Sequence, residues 1–201
     1  MRTMRLSFKK LGIGASLVFC LMGMAVTLSI SDPISAHENS VLSAKHEKIM
    51  QDFPNVAHIS SDELQQLETS NALIFDIRDT DEYSVSHMAG AILISPKTSA
   101  SEFLEKYSKA AKGKTVIFYC SVGQRSSLFA TRVQYSLKTS GAAAVFNLKG
   151  GLFNWHNENL PLVTPSKDPT EYIHPYNQFW GRMLNHRDKT SYESEDSAVD
   201  L

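Results

Sequence analysis

The chain has 201 residues, 42% of them hydrophobic and 20% charged, with a formal net charge of −1. That balance fits one ordinary globular domain and argues against a disordered or fibrous chain. No basic block of the kind that grips a phosphate backbone is present, so nucleic acid is not an expected partner.

At the N-terminus, Arg2, Arg5, Lys9 and Lys10 precede an uncharged apolar run from Leu11 to Ile30, the layout of a secretory signal. Ile34-Ser35-Ala36 offers a small residue for cleavage, and cutting after Ala36 is expected; Gly23-Met24-Ala25 would leave a shorter apolar core. The alternative is an uncleaved anchor, since about 20 apolar residues can span a bilayer. The expected location is therefore periplasmic or otherwise exported, with membrane attachment through residues 11–30 only if the signal is retained. Cleavage removes four basic residues and Asp32, taking the net charge from −1 to −4, and discards Cys20. Cys120 is then the sole cysteine, either a buried hydrophobe or a free thiol kept for chemistry.

Residues 37–55 are polar with scattered apolar positions and read as a frayed helix or lead-in. Val56-Ala57-His58-Ile59 reads as a short strand. Ser60 and Glu63 then have capping-box spacing, ahead of a helix to about Glu68. Ala72 to Ile77 is a continuous apolar run, as expected for a strand covered on both faces. A polar stretch leads to a short strand over Ala91–Ile94, and Ser99 with Glu102 repeats the capping spacing before a helix that ends at Gly113. Thr115 to Tyr119 is the clearest strand and runs directly into Cys120. Ser126 to Ser140 reads as a helix with an apolar stripe of Leu128, Phe129, Val133 and Leu137, stopped by Gly141. A last strand over Ala143–Leu148 precedes a Gly150-Gly151 turn and a short helix through Trp155.

Strands alternating with helices predict an α/β fold: a single domain with a mainly parallel five-stranded sheet and helices on both faces. Ligands in such sheets bind beyond the carboxyl ends of the strands, which is where Cys120 falls. The loop Ser121, Val122, Gly123, Gln124, Arg125, Ser126 links that strand to a helix, so its amides can converge on one point with the helix dipole behind them. Surroundings of this kind stabilise a thiolate. Gly123 permits positive backbone angles and Arg125 adds a fixed positive charge. Four residues separate Cys120 from Arg125; the cysteine phosphatases that use a related cradle have five. The shorter loop makes a smaller cup, better suited to a sulfane sulfur than to a tetrahedral phosphate.

Together, Asp76-Ile77-Arg78, Glu82-Tyr83, His87-Met88-Ala89-Gly90-Ala91, the Cys120 loop and Gly150-Gly151 with Trp155 resemble the rhodanese homology domain, in order and spacing, over residues 56–163. The resemblance implies a sulfurtransferase that carries sulfur as a Cys120 persulfide. Sulfur would pass from a donor such as thiosulfate or a persulfide to cyanide, a thiol or a protein acceptor. It implies that the loop amides hold the terminal sulfur and that Asp76, Arg78, Glu82 and His87 support the site. No cofactor or metal is implied. The alternative is a sulfur-binding or relay module that discharges only to a protein partner. Residues 164–201 depart from the family core. Their aromatic cluster, Tyr172, His174, Tyr176, Phe179 and Trp180, is expected to fold back over the domain, followed by an acidic tail.

Overall fold

The computed structural model describes residues 33–194, with side chains from Ser40 onward apart from Thr69. The apolar run Leu11–Ile30, Cys20 and the end of the acidic tail lie outside the described residues. Helix α1 (Pro33–Asp52) runs through Ala36, the expected cleavage position. Among the described residues no helix is long and apolar enough to cross a membrane.

Five strands form one sheet: β1 (His58–Ile59), β2 (Ala72–Asp76), β3 (Ile92–Leu93), β4 (Thr115–Tyr119) and β5 (Ala144–Leu148). Their order is β1-β5-β4-β2-β3 and every pairing is parallel. β4 is central, and Val116, Ile117, Phe118 and Tyr119 are all fully buried. A parallel strand with both faces covered needs an unbroken apolar run, which is what β4 carries.

The alternation of side chains along β4 feeds two cores. Val116 and Phe118 join Phe75 against α4 (Ala100–Ala111) and α5 (Gln124–Thr139), through Phe103, Phe129, Val133 and Leu137. Ile117 and Tyr119 face the other layer: α1, α2 (Ser61–Gln65) and α6 (Gly151–Asn157) contribute Leu42, Ile49, Leu64, Leu152 and Phe153. Cys120 emerges at the carboxyl end of β4, between the two layers.

Several boundaries differ from the sequence reading. Of residues 37–55, read as a frayed helix or lead-in, those up to Asp52 belong to the 20-residue helix α1, whose Leu42, His46 and Ile49 are buried at helical spacing. A histidine within that stripe masks its periodicity. β1 has two residues rather than four, α2 stops at Gln65, and α5 starts at Gln124, two residues before the expected Ser126. The polar stretch after β2 contains a helix, α3 (Thr80–Val85), in which the Asp79 amide donates to the Glu82 carboxylate at 3.2 Å. Leu128 is not part of the α5 core stripe: it is 54% exposed and faces the pocket described below.

Beyond α6, β6 (Leu162–Val163) and β7 (Pro169–Thr170) make a small antiparallel pair. The C-terminal segment packs back on the domain, but Tyr172, Tyr176 and Phe179 of its aromatic cluster stay exposed. Ile173, His174, Met183 and Leu184 are buried, and the Asn157 side chain on α6 bonds Met183 O and the Asn185 amide, both at 2.8 Å.

Candidate active site

The loop after β4 curls around its own cysteine. Cys120 is 1% exposed, and the Gly123 amide donates to its sulfur at 3.2 Å. Gly123 takes φ +95°, a conformation that side-chain-bearing residues avoid, and a Cβ there would come within 3.0 Å of the Asn147 amide nitrogen. Cys120 is a free thiol.

The carbonyls of the loop are held away from the sulfur. Leu152 and Phe153, in the first turn of α6, donate their amides to Cys120 O and Ser121 O, both at 2.9 Å. With the carbonyls engaged there, the N–H side of those peptides is left to the cup. This approach requires Gly151: at φ +61° a Cβ would press into the carbonyl of Cys120 and lie 2.7 Å from that of Ser121. The Gly150-Gly151 pair thus does more than turn the chain.

Two ion pairs flank the loop, one fully and one partly buried. Asp76, at the end of β2, receives Arg78 through Nε at 2.9 Å and Nη2 at 2.6 Å, and Arg78 Nη2 also donates to Ser86 O at 2.6 Å. Both side chains are fully buried. Burial works against the Arg78 charge, but Asp76 outweighs it and raises the guanidinium above its ordinary value. The Tyr119 hydroxyl beside them accepts from the Met88 amide at 3.2 Å; burial and the nearby Asp76 push this phenol well above its usual range.

The second pair joins Glu82 on α3 to Arg125 on α5. Arg125 donates Nη1 to Glu82 Oε2 at 2.7 Å and Nη2 to Oε1 at 2.8 Å, and a further Nη1 bond reaches Asp79 at 3.1 Å. Ser121 Oγ accepts from Arg125 at 2.9 Å and donates to Glu82 at 2.5 Å. Burial opposes the Glu82 charge, yet bonds and charge from Arg125 win and hold this carboxyl below the usual range. The family resemblance implies a supporting role for Arg78 and Glu82 without naming their partners. Both are buried, and their partners are Asp76 and Arg125. Arg125 is correspondingly a neutralised clamp on the loop rather than a free cation in it.

His87 stays outside the cup. It stacks on Tyr83 with centroids 3.7 Å apart, meets Tyr83 O through Nδ1 at 3.1 Å, and pairs its backbone with Val163. Burial lowers its pKa. Ser126 is fully buried with its hydroxyl unpartnered.

A cavity of about 320 Å³ opens over the cysteine loop, lined by Cys120, Ser121, Val122, Gln124, Arg125 and four apolar or aromatic residues: Phe53, Leu128, Tyr176 and Trp180. Sequence reasoning missed Phe53 and Leu128 as wall residues. It had no signal for Phe53, which follows α1, and it assigned Leu128 to the core.

Residues 60–158 match the rhodanese-like domain family. The thiosulfate sulfurtransferase GlpE of Coxiella burnetii is 32% identical over 104 residues, covering 51% of this chain and 87% of that protein. The chain belongs to the rhodanese-like family. The uncharacterized protein YibN of Escherichia coli is 34% identical over 100 residues, 48% of this chain and 64% of its own length. This rhodanese-like chain thus spans less than two thirds of YibN, and 55% of an uncharacterized Synechocystis protein. A thiosulfate sulfurtransferase structure from Pseudomonas aeruginosa is 21% identical with TM-score 0.47, over 74% of this chain and 27% of that one. The family match excludes α1 and everything after Glu158.

Proposed function

We propose that this rhodanese-like protein is a sulfurtransferase that carries sulfane sulfur on Cys120. The observation that supports it best is the cup itself: a buried thiol with the Gly123 amide aimed at its sulfur and the loop carbonyls drawn off by α6. Donors fixed around a sulfur stabilise its anionic form without reorganisation, and they serve a thiolate and a terminal persulfide sulfur alike.

In the first half-reaction the Cys120 thiolate attacks the outer sulfur of the donor. A new S–S bond forms on Cys120, the donor's own bond to that sulfur breaks, and its electron pair leaves with the remainder, as sulfite if the donor is thiosulfate. In the second, a thiolate or cyanide attacks the terminal sulfur and the pair returns to Cys120. Net charge is conserved in each step and no external oxidant is consumed. The Glu82–Arg125–Ser121 network sets the loop's shape and Asp76–Arg78 anchors the strand end beneath it.

The test is a donor panel read by mass and by turnover. The wild-type protein gains one sulfur atom on Cys120 and discharges it to cyanide, whereas Cys120→Ser keeps the fold and loses turnover at least a thousandfold. Unchanged turnover in that variant refutes the reading. Loading that only a protein acceptor can discharge would show a relay in place of small-molecule turnover.

A further inference from the structure

We infer that the donor this site selects is an organic sulfane-sulfur compound, an apolar or aromatic body ending in a terminal sulfane sulfur, in preference to inorganic thiosulfate. This rests on the sulfurtransferase reading of Cys120 and adds to it the chemistry of the donor.

The cavity over Cys120 is built on one side by the family core and on the other by segments outside it. Phe53 follows α1, Tyr176 and Trp180 belong to the C-terminal segment, and Leu128 rises from α5, 54% exposed. Leu128 and Tyr176 are large hydrophobic residues kept at the surface, and together with Phe53 and Trp180 they line the cavity with apolar surface beside a polar cup. Binding sites of this composition hold an apolar body by burial and orient it through a few polar atoms.

Charge points the same way. Thiosulfate is a small dianion with no apolar surface. The cation among the lining residues, Arg125, is already committed to Glu82 and Asp79. Lys45 at the rim is engaged with the Gln124 side chain and lies over the Trp180 ring at 5.2 Å. Among the lining residues a dianion therefore finds the cation already compensated, with the Lys45 ammonium set at the rim against a neutral amide and an aromatic ring, whereas a singly charged donor needs only the loop amides.

The wall is also held in place. Tyr176 occupies the left-handed region at φ +64°, which a bulky residue enters only when its surroundings impose it. Its amide donates to Nδ1 of buried His174 at 3.0 Å, and its ring lies under the Arg125 guanidinium at 4.9 Å. The ring is thus coupled to the same arginine that clamps the cysteine loop.

The transfer balances for this class. The Cys120 thiolate attacks the terminal sulfur of R–SO2–S⁻ or R–S–S⁻. The new S–S bond forms on Cys120, the bond between that sulfur and the organic group breaks, and its electron pair leaves as sulfinate or thiolate.

The experiment compares benzenethiosulfonate with thiosulfate as donors for the full chain, by kcat/KM with cyanide and by persulfide loading of Cys120. Wild type favours the aromatic donor by about tenfold or more, chiefly through KM, because an apolar body contributes equally to ground-state and transition-state binding. Trp180→Ala lowers kcat/KM for the aromatic donor about tenfold more than for thiosulfate. Leu128→Ala, at an exposed position that folding does not need, shifts the ratio in the same direction. Thiosulfate preferred by wild type, or equal losses for both donors in both variants, overturns the inference while leaving sulfur transfer intact. Failure of both donors to load Cys120 overturns the sulfurtransferase reading and this inference with it.

Discussion

Single residues here divide by what their removal would leave behind. Asp76 and Arg78 are both fully buried and bonded, so deleting the carboxylate strands a guanidinium that has no water to turn to. Removing one partner of such a pair costs about 3–5 kcal/mol. Asp79 contacts the same loop through Arg125, but its side chain is 60% exposed, and an exposed pair is worth under about 1 kcal/mol. Urea unfolding should therefore separate Asp76→Ala, destabilised by about 3–5 kcal/mol, from Asp79→Ala, close to wild type. Equal and small losses in the two variants would contradict the buried-clamp role of Asp76. The motif was visible in the sequence as Asp76-Ile77-Arg78, but the partner of each charge was not. Side chains two residues apart on an extended strand point the same way, yet pairing of Glu82 with Arg125 spans 43 positions and depends on α3 and α5 docking at the same strand end.

At the scale of elements, the strand order β1-β5-β4-β2-β3 depends on long-range pairing and does not follow from local sequence, but the parallel sheet follows from sequence features that survive in isolation: continuous apolar runs, capping serines at Ser60 and Ser99, and glycines at helix ends. The cysteine loop was legible for the same reason, since its residues are contiguous. Helix α3 was not, because six residues with Val85 as their one aliphatic side chain carry no apolar stripe and only the Asp79 to Glu82 spacing marks its start. Least legible was the dependence of the loop on α6, an element that begins thirty-one residues after Cys120. Its first amides hold the loop carbonyls, and they can do so only because Gly151 lacks a Cβ. Gly151→Ala should displace those carbonyls and slow alkylation of Cys120 by about tenfold. It should cost roughly 2 kcal/mol or more of stability, by strain at φ > 0 plus the clash. Gly90→Ala is the control: its φ is similar at +77° but nothing lies within 4 Å of the added carbon, so it carries about 1 kcal/mol of backbone strain and no change in thiol reactivity. Equal alkylation rates in wild type and Gly151→Ala would remove α6 from the description of the site.

Across the whole molecule, α1, which precedes the family core, is tied to it through a histidine. His46 on α1 is 2% exposed and accepts the Gly150 amide through Nδ1 at 3.3 Å, so α1 is bonded to the turn that starts α6. Accepting at Nδ1 requires the neutral ring, with its proton on Nε2. Burial first, then His58 with its ring centroid 4.8 Å away, then Lys149, lower the His46 pKa to about 4. His58 is lowered as well, by burial and Lys149. The unfolded chain takes up protons near 6.5 and the folded one resists them. This contribution to stability is therefore complete above about pH 6.5 and is lost as pH falls toward 4. For His46 alone it is on the order of 3 kcal/mol. Urea midpoints measured from pH 7 to pH 4 should fall across that window, and His46→Asn, which keeps an acceptor but does not titrate, should flatten the fall. Phe53 follows α1 directly and Lys45 on it reaches Gln124, so release of α1 in acid is expected to open one wall of the pocket ahead of the sheet. Turnover with an aromatic donor should then decline at a higher pH than global unfolding in wild type and track unfolding in His46→Asn. An identical pH slope in the two proteins would show that the histidine has no part in holding α1.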